Sequence, residues 1–234
     1  EVGGRTGLGY RDTAQDIMGV AHSNPVKTRQ RIVELLHGHT SMGYGLHLFE
    51  PEVFAPQEDR LPGVKLPTVK PATSLDEIVH GLEDVCADDA LWLVASTCDW
   101  VVETGELAFF DEVIPYADGG EGTVYDHLTR ILDFADEYVG PHGICQGLRA
   151  DWNDCLNLGG GESSMVSFLH YWALQYFVEA ARHLRREDDV RRYEAMAANA
   201  LAAWSSLQAM QNQAAAAAAA ANNNNNHNNN VSPI

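Results

Sequence analysis

Hydrophobic positions along this chain recur at three- and four-residue steps, and two kinds of helix alternate. Asn24 and Pro25 open a helix running to about His37, with Pro25 in a first-turn position that needs no N–H donor. From Asp89, the run ALWLVASTCDWVVETG is apolar almost all round and stops at Gly105. Thr123 to Val139 is different: Val124, Leu128, Ile131, Ala135 and Tyr138 form one stripe with acidic residues opposite, and Gly140-Pro141 ends it. Ser163 or Ser164 then caps MVSFLHYWALQYFVEAARHL, apolar on most sides, and Val190, Tyr193, Ala197, Ala200, Trp204 and Leu207 trace a second stripe. No stretch alternates convincingly with period two.

A helix apolar all round has to be covered on all sides, whereas a striped helix can face water. The alternation therefore predicts an all-α fold in two layers, inner helices wrapped by outer ones, as in an α/α toroid. A simple four-helix bundle would stripe every helix. Glycine-rich joints at Gly3–Gly9, Gly43–Gly45, Gly119–Gly122 and Gly159–Gly161 are where loops can build a site.

With 234 residues, 45% of them hydrophobic, the chain is long enough for one domain with a sizeable core. Its end is different in kind: Ala214 to Ala221 is unbroken alanine, followed by Asn222 to Asn226, His227 and three more asparagines. Such low complexity cannot specify a packed core, so the folded unit is expected over residues 1–212 and a tail over 213–234. The alanines can prolong the preceding helix, and the asparagines are expected to be disordered. The chain begins Glu-Val-Gly-Gly without an initiator Met, as expected of a piece of something longer.

The net charge of −18, from 33 acidic and 15 basic residues, argues against nucleic acid or an anionic membrane surface as a partner. A neutral or polar small molecule fits better. Cys86, Cys98, Cys145 and Cys155 form no C-x-x-C pair and have no histidines at zinc spacing, and His37 and His39 have no partner at metal spacing. They read as reduced thiols in a cytoplasmic protein with no metal and no organic cofactor. No uninterrupted apolar stretch reaches about 18 residues, so no membrane span is expected.

Two segments carry candidate chemistry. In GGRTGLGYRDTAQD, Gly3 to Asp16, four glycines and two arginines precede a helix that Asp12 can cap, with Gln15 completing a capping box. Equally, Arg5 and Arg11 can supply donors to sugar hydroxyls or an anion, with Asp12 accepting from hydroxyls. No strand precedes these glycines, so they are not a dinucleotide fingerprint. In ADWNDCLN, Ala150 to Asn157, an Asx-type turn with Trp152 plugging the core competes with a sugar site. There, the tryptophan would face the C–H face of a ring and a neighbouring carboxyl would stay protonated as a general acid. Asp88 and Asp89, in front of the buried helix, read as caps.

Taken together, the two segments resemble glycoside hydrolase family 94, the inverting cellobiose- and chitobiose-type phosphorylases, in order and separation. The DALWLV segment between them adds to the resemblance, which covers about residues 1–205. It implies part of an (α/α)6 catalytic barrel that splits a β-linked disaccharide with inorganic phosphate, giving a sugar 1-phosphate and a free sugar. By the same resemblance, Asp154 is the general acid, Trp152 lies beside the sugar whose bond breaks, Arg5 and Asp12 hold that sugar, and Arg11 helps hold phosphate. Asp151 is then a loop or capping residue. Phosphate is already an anionic nucleophile, so one catalytic carboxyl suffices. An inverting hydrolase, the alternative on the same fold, needs a second carboxylate about 6.5–9.5 Å away, for which Glu162 is a candidate. A non-catalytic helical fragment is the third reading.

The loop SMGYGLHLF, Ser41 to Phe49, can read the group on the second carbon of the sugar. Family enzymes have a β-sandwich domain before this region and more of the barrel after it, are commonly homodimers, and draw further phosphate and acceptor-sugar contacts from later segments. The isolated 234-residue chain is therefore expected to show little or no phosphorolysis. Release of sugar 1-phosphate from a β-linked disaccharide is the measurement, and robust turnover by this chain alone overturns the expectation.

Overall fold

The computed structural model describes residues 8–49 and 84–228. Six α-helices account for most of them: α1 (Tyr10–Met18), α2 (Pro25–His37), α3 (Asp89–Thr104), α4 (Val124–Glu137), α5 (Ser164–His183) and α6 (Glu187–Asn228). Helices α1, α3 and α5 lie side by side, α3 touching both of the others. The second layer fills the seams: α2 packs on α1 and α3, α4 on α3 and α5, and α6 on α5. This is the two-layer helical arrangement of part of an (α/α)6 barrel. The two helices that are apolar all round, α3 and α5, occupy the inner layer, and the striped α4 and α6 the outer one.

The caps explain where several helices begin. Asn24 accepts a hydrogen bond from the Lys27 amide at 3.3 Å, and Ser163 accepts one from Val166 at 3.3 Å. Thr123 and Asp126 form a reciprocal capping box at the start of α4. Asp12 does not cap α1: the cap residue is Gly9, with no side-chain cap hydrogen bond. Asp88 likewise precedes α3 without capping it through its side chain. Helix α6 runs on through the alanines and into the asparagines as far as Asn228, where disorder was expected.

The core joins the layers through aromatic side chains. Trp100 of α3 donates from Nε1 to the Pro25 carbonyl at 2.8 Å, pinning the start of α2. Tyr125 of α4, Phe177 of α5 and Tyr193 of α6 form a chain with ring centroids 4.9 Å apart at each step. Three short antiparallel pairs, unforeseen in the sequence pattern, tie the joints: β1 (Leu8–Gly9) with β2 (Leu48–Phe49), β3 (Val113–Pro115) with β4 (Glu121–Thr123), and β5 (Gln146–Leu148) with β6 (Gly159–Glu162). At two to four residues each, they are too short to show a period of two. β1 leads into α1, β4 into α4 and β6 into α5.

Under the β3–β4 hairpin, His127 Nε2 faces the Ile114 carbonyl at 3.0 Å, and its Nδ1 lies 2.9 Å from His39 Nδ1. One ring must donate and the other accept, so the two rings cannot both be protonated. Burial, the neighbouring histidines and Arg130 keep His39 well below its usual value and His127 near about 4. A base depressed in the folded state favours folding above its unfolded pKa, about 6.5, and that advantage is lost as pH falls toward the folded value. Asp88, raised to about 6, titrates with the opposite sign in part of this range, so comparison with a variant is needed. The stability of wild type relative to His127→Gln should be constant above about pH 6.5 and fall between there and about pH 4 in urea unfolding.

Candidate active site

Arg11 lies in the first turn of α1 and is almost fully buried, 3% exposed. Its guanidinium reaches across the starts of the two neighbouring inner helices. Nη1 donates to both Asp88 oxygens at 2.8 and 3.0 Å and to the Asp151 carbonyl at 2.8 Å. Nε stands 3.3 Å from Asp89 Oδ1, and Nη2 donates to Asp154 Oδ1. Asp88 also accepts from Trp92 Nε1 at 3.1 Å, and His47 Nδ1 lies 3.0 Å from Asp89 Oδ2. One arginine thus joins α1, the start of α3 and the ADWNDC loop before α5.

The electrostatics follow from this enclosure. Burial alone would lower the Arg11 guanidinium, but the charges of Asp88, Asp89 and Asp154 outweigh it and hold it raised. Burial, with the charge of Asp89, pushes Asp88 up to about 6 despite Arg11 and Trp92. Asp89 is raised by burial, against the pull of His47 and Arg11. His47 in turn is held at about 10, chiefly by its hydrogen bonds to Asp89 and Cys86.

The ADWNDC loop is built from Asx turns. Asp151 Oδ1 accepts from the Asn153 amide at 3.0 Å, and Asn153 Oδ1 from the Cys155 amide at 3.2 Å. Asp151 Oδ2 accepts from Ser163 Oγ at 2.8 Å, binding the loop to the residue that caps α5. Asp151 is therefore a loop fastener. Just upstream, Leu148 has φ 52°, a left-handed conformation uncommon without glycine, where β5 and β6 slip register. Asp154, at the far side of the turn, keeps a 56% exposed side chain although Arg11 holds its Oδ1. Trp152 is 58% exposed, so it does not plug the core.

Asp12 is exposed on α1, and its carboxylate folds back over Gly9, where an added Cβ would come within 2.7 Å of Oδ2. Arg5 lies outside the described residues. The expected phosphate contact of Arg11 does not match its geometry, since its donors are turned to Asp88, Asp154 and the Asp151 carbonyl. Asp88 and Asp89, read from the sequence as helix caps, are instead buried partners of Arg11, each 0% exposed. Two adjacent acids before an all-apolar helix, with an arginine in a distant motif, were the available signal. Glu162 has its oxygens engaged by His142, Oε1 by the amide at 2.8 Å and Oε2 by the ring at 2.6 Å.

Removing one member of a buried ion pair leaves the other charge uncompensated, at a cost of about 3–5 kcal/mol. Arg11→Ala should therefore lower the unfolding free energy by about that much, while Asp154→Ala, at a half-exposed position, should change it by less than about 1 kcal/mol. Urea unfolding of the two variants is the measurement, and equal losses would contradict the assignment of Arg11 as the anchor.

Comparison with known proteins agrees with this architecture. A family model described as the glycosyl hydrolase 94 superfamily, catalytic domain, matches residues 1–209. The chain is 61% identical over 199 residues to an N,N'-diacetylchitobiose phosphorylase of Vibrio proteolyticus, an alignment covering 85% of this chain and 25% of that protein. A protein of the same name from Vibrio furnissii is 59% identical over 197 residues, 84% of this chain and 25% of its own. A solabiose phosphorylase of Paenibacillus borealis is 29% identical over 196 residues, 82% of this chain and 22% of its own. The chain thus spans about a quarter of the length of these curated relatives. With the family model matching nearly all of its length outside the alanine and asparagine tail, the chain belongs to the glycosyl hydrolase 94 superfamily, within its catalytic domain.

Proposed function

We propose that this chain supplies the general-acid side of a disaccharide phosphorylase acting on a β-linked, chitobiose-type substrate with inversion. The observation that carries the reading is Asp154: an exposed carboxyl beside an exposed tryptophan, held by one oxygen on a buried arginine. With Oδ1 accepting from Arg11 Nη2, the proton of the neutral acid belongs on Oδ2, from which it passes to the glycosidic oxygen. Trp152 offers its face to the sugar ring, and Arg5 and Asp12 are the candidate partners of its hydroxyls.

Phosphate then attacks the anomeric carbon from the opposite face, so its donors must stand across the ring from Asp154. Arg11, in contact with Asp154, is on the acid's side, and its role becomes positioning of the acid. The identity of the chitobiose phosphorylases, 61% and 59%, supports an N-acetylglucosamine-type disaccharide as substrate. No organic cofactor or metal enters this reaction, and phosphate is the co-substrate. The excess of acidic groups and the four free cysteines support a cytoplasmic enzyme that binds neither nucleic acid nor membrane. Among the described residues, no helix is long and apolar enough to cross a membrane. A homodimer remains part of the proposal through the family alone. Hydrolysis is less well supported, because the candidate second carboxylate, Glu162, is clasped by His142.

The test uses these residues in a chain of the relatives' full length. Asp154→Asn should reduce phosphorolysis of the natural disaccharide by about 10²–10⁴-fold. It should spare much of the activity toward a nitrophenyl glycoside, whose leaving group needs no proton. Sugar 1-phosphate should form only with phosphate present. Near-wild-type disaccharide cleavage by the variant, or equal losses on both substrates, would rule Asp154 out as the acid.

A further inference from the structure

His47 and Cys86 take no part in the chemistry proposed above and Asp89 touches it only through Arg11, yet the fold gathers the three from separate segments. One donor atom from each, an imidazole nitrogen, a thiol sulfur and a carboxylate oxygen, lies within 4.8 Å of the others. In a tetrahedral zinc site with Zn–N and Zn–O of about 2.0–2.1 Å and Zn–S of about 2.3 Å, donors stand about 3.3–3.8 Å apart. His47 Nδ1 and Asp89 Oδ2 are already 3.0 Å apart, so modest side-chain adjustment closes the set.

The backbone under all three donors is fixed by its neighbours. The His47 carbonyl accepts from the Tyr10 amide at 3.1 Å, at the start of α1. Cys86 bridges to Leu148 and Ala150, and Asp89 begins α3, its amide donating to the Cys86 carbonyl at 3.4 Å. A metal site needs this kind of support, because ligands on loose segments give up entropy on binding. Cys86 and Asp89 are buried, while the His47 side chain is 30% exposed and leaves a path from solvent.

The surrounding charge also suits a cation. Asp88, Asp89 and Asp154 stand against the guanidinium of Arg11 and the imidazole of His47, leaving the acids in excess. Asp89 Oδ1 has no hydrogen bond of good geometry and faces Arg11 Nε only as an ion pair at 3.3 Å. Mixed nitrogen, sulfur and oxygen donors match borderline-soft divalent ions, zinc above all, and not calcium or magnesium.

We propose that His47, Cys86 and Asp89 form a three-ligand site for a zinc-class divalent cation, with a fourth position open to water on the His47 side. On binding, the Cys86 S–H bond breaks and its proton leaves to solvent as the metal–sulfur bond forms. Any proton on the coordinating imidazole nitrogen leaves likewise, and no electron is transferred. Because Asp89 also faces Arg11, an ion here bears on the group that holds Asp154.

Metal-free full chain titrated with Co²⁺ should take up one equivalent. It should show thiolate-to-cobalt charge-transfer absorption in the near ultraviolet and tetrahedral bands in the visible, both erased by Zn²⁺. Cys86→Ser should abolish the charge-transfer absorption and His47→Gln should weaken binding at least tenfold, while Cys155→Ser, which removes the exposed thiol, should change neither. Circular dichroism establishes that each variant is folded. Should Cys86→Ser not fold, His47→Gln at its partly exposed position decides. No cobalt uptake by wild type, a charge-transfer band surviving in Cys86→Ser, or undiminished binding in His47→Gln overturns the proposal.

Discussion

A buried arginine facing three carboxylates is the constraint around which this end of the molecule is organised. Taking a guanidinium and two aspartates out of water costs several kcal/mol per ion, and only close, well-directed hydrogen bonds offset that. The geometry therefore tolerates little movement. If α1 shifted along α3, the paired bonds from Arg11 to Asp88 would be lost. If the ADWNDC loop lifted, the Asp151 carbonyl and Asp154 would leave the guanidinium together. The hydrophobic core brings the helices side by side, and this charge cluster fixes their starts relative to one another.

That fixed frame explains how an exposed acid can be held in place. Loop side chains at this level of exposure ordinarily sample many rotamers. Asp154 is restrained at one oxygen by a group that cannot move and left open at the other. Beneath it, Asp151 welds the loop to the Ser163 cap, so the turn is fastened both to the inner-helix layer and to the first turn of α5. Catalytic proton transfer depends on geometry of this kind before it depends on acidity. The neighbouring Trp152 is free of the core.

Much of the architecture was legible in the chain. All-round apolarity in the stretches at Asp89 and Ser164, against single stripes at Val124 and Val190, reports how many sides of each helix are covered, and local composition is enough to show it. Asp151 fastens the loop, as its place in the turn suggested, and Asp154 is the exposed one of the two. Asp88 and Asp89 were misread for one shared reason. An acid at the start of a helix looks the same in sequence whether it accepts from its own helix or from an arginine far away in the chain. Trp152 was ambiguous in the same way, since a tryptophan in a turn can plug a core or cover a ligand.

The sequence by itself determined the helices, their layering and the motifs that carry the family, because these depend on periodicity, caps and residue type over short distances. Only the tertiary structure decided which charges meet. Arg11 finds Asp88 at 77 positions' separation and Asp154 at 143, contacts that no local pattern encodes. The same holds for His47, Cys86 and Asp89, whose spacing resembles no metal motif until helix packing and the bridge from Cys86 to Leu148 bring them together. Burial then changes the chemistry of these groups by removing water, an effect that exists only once the inner helices are in place.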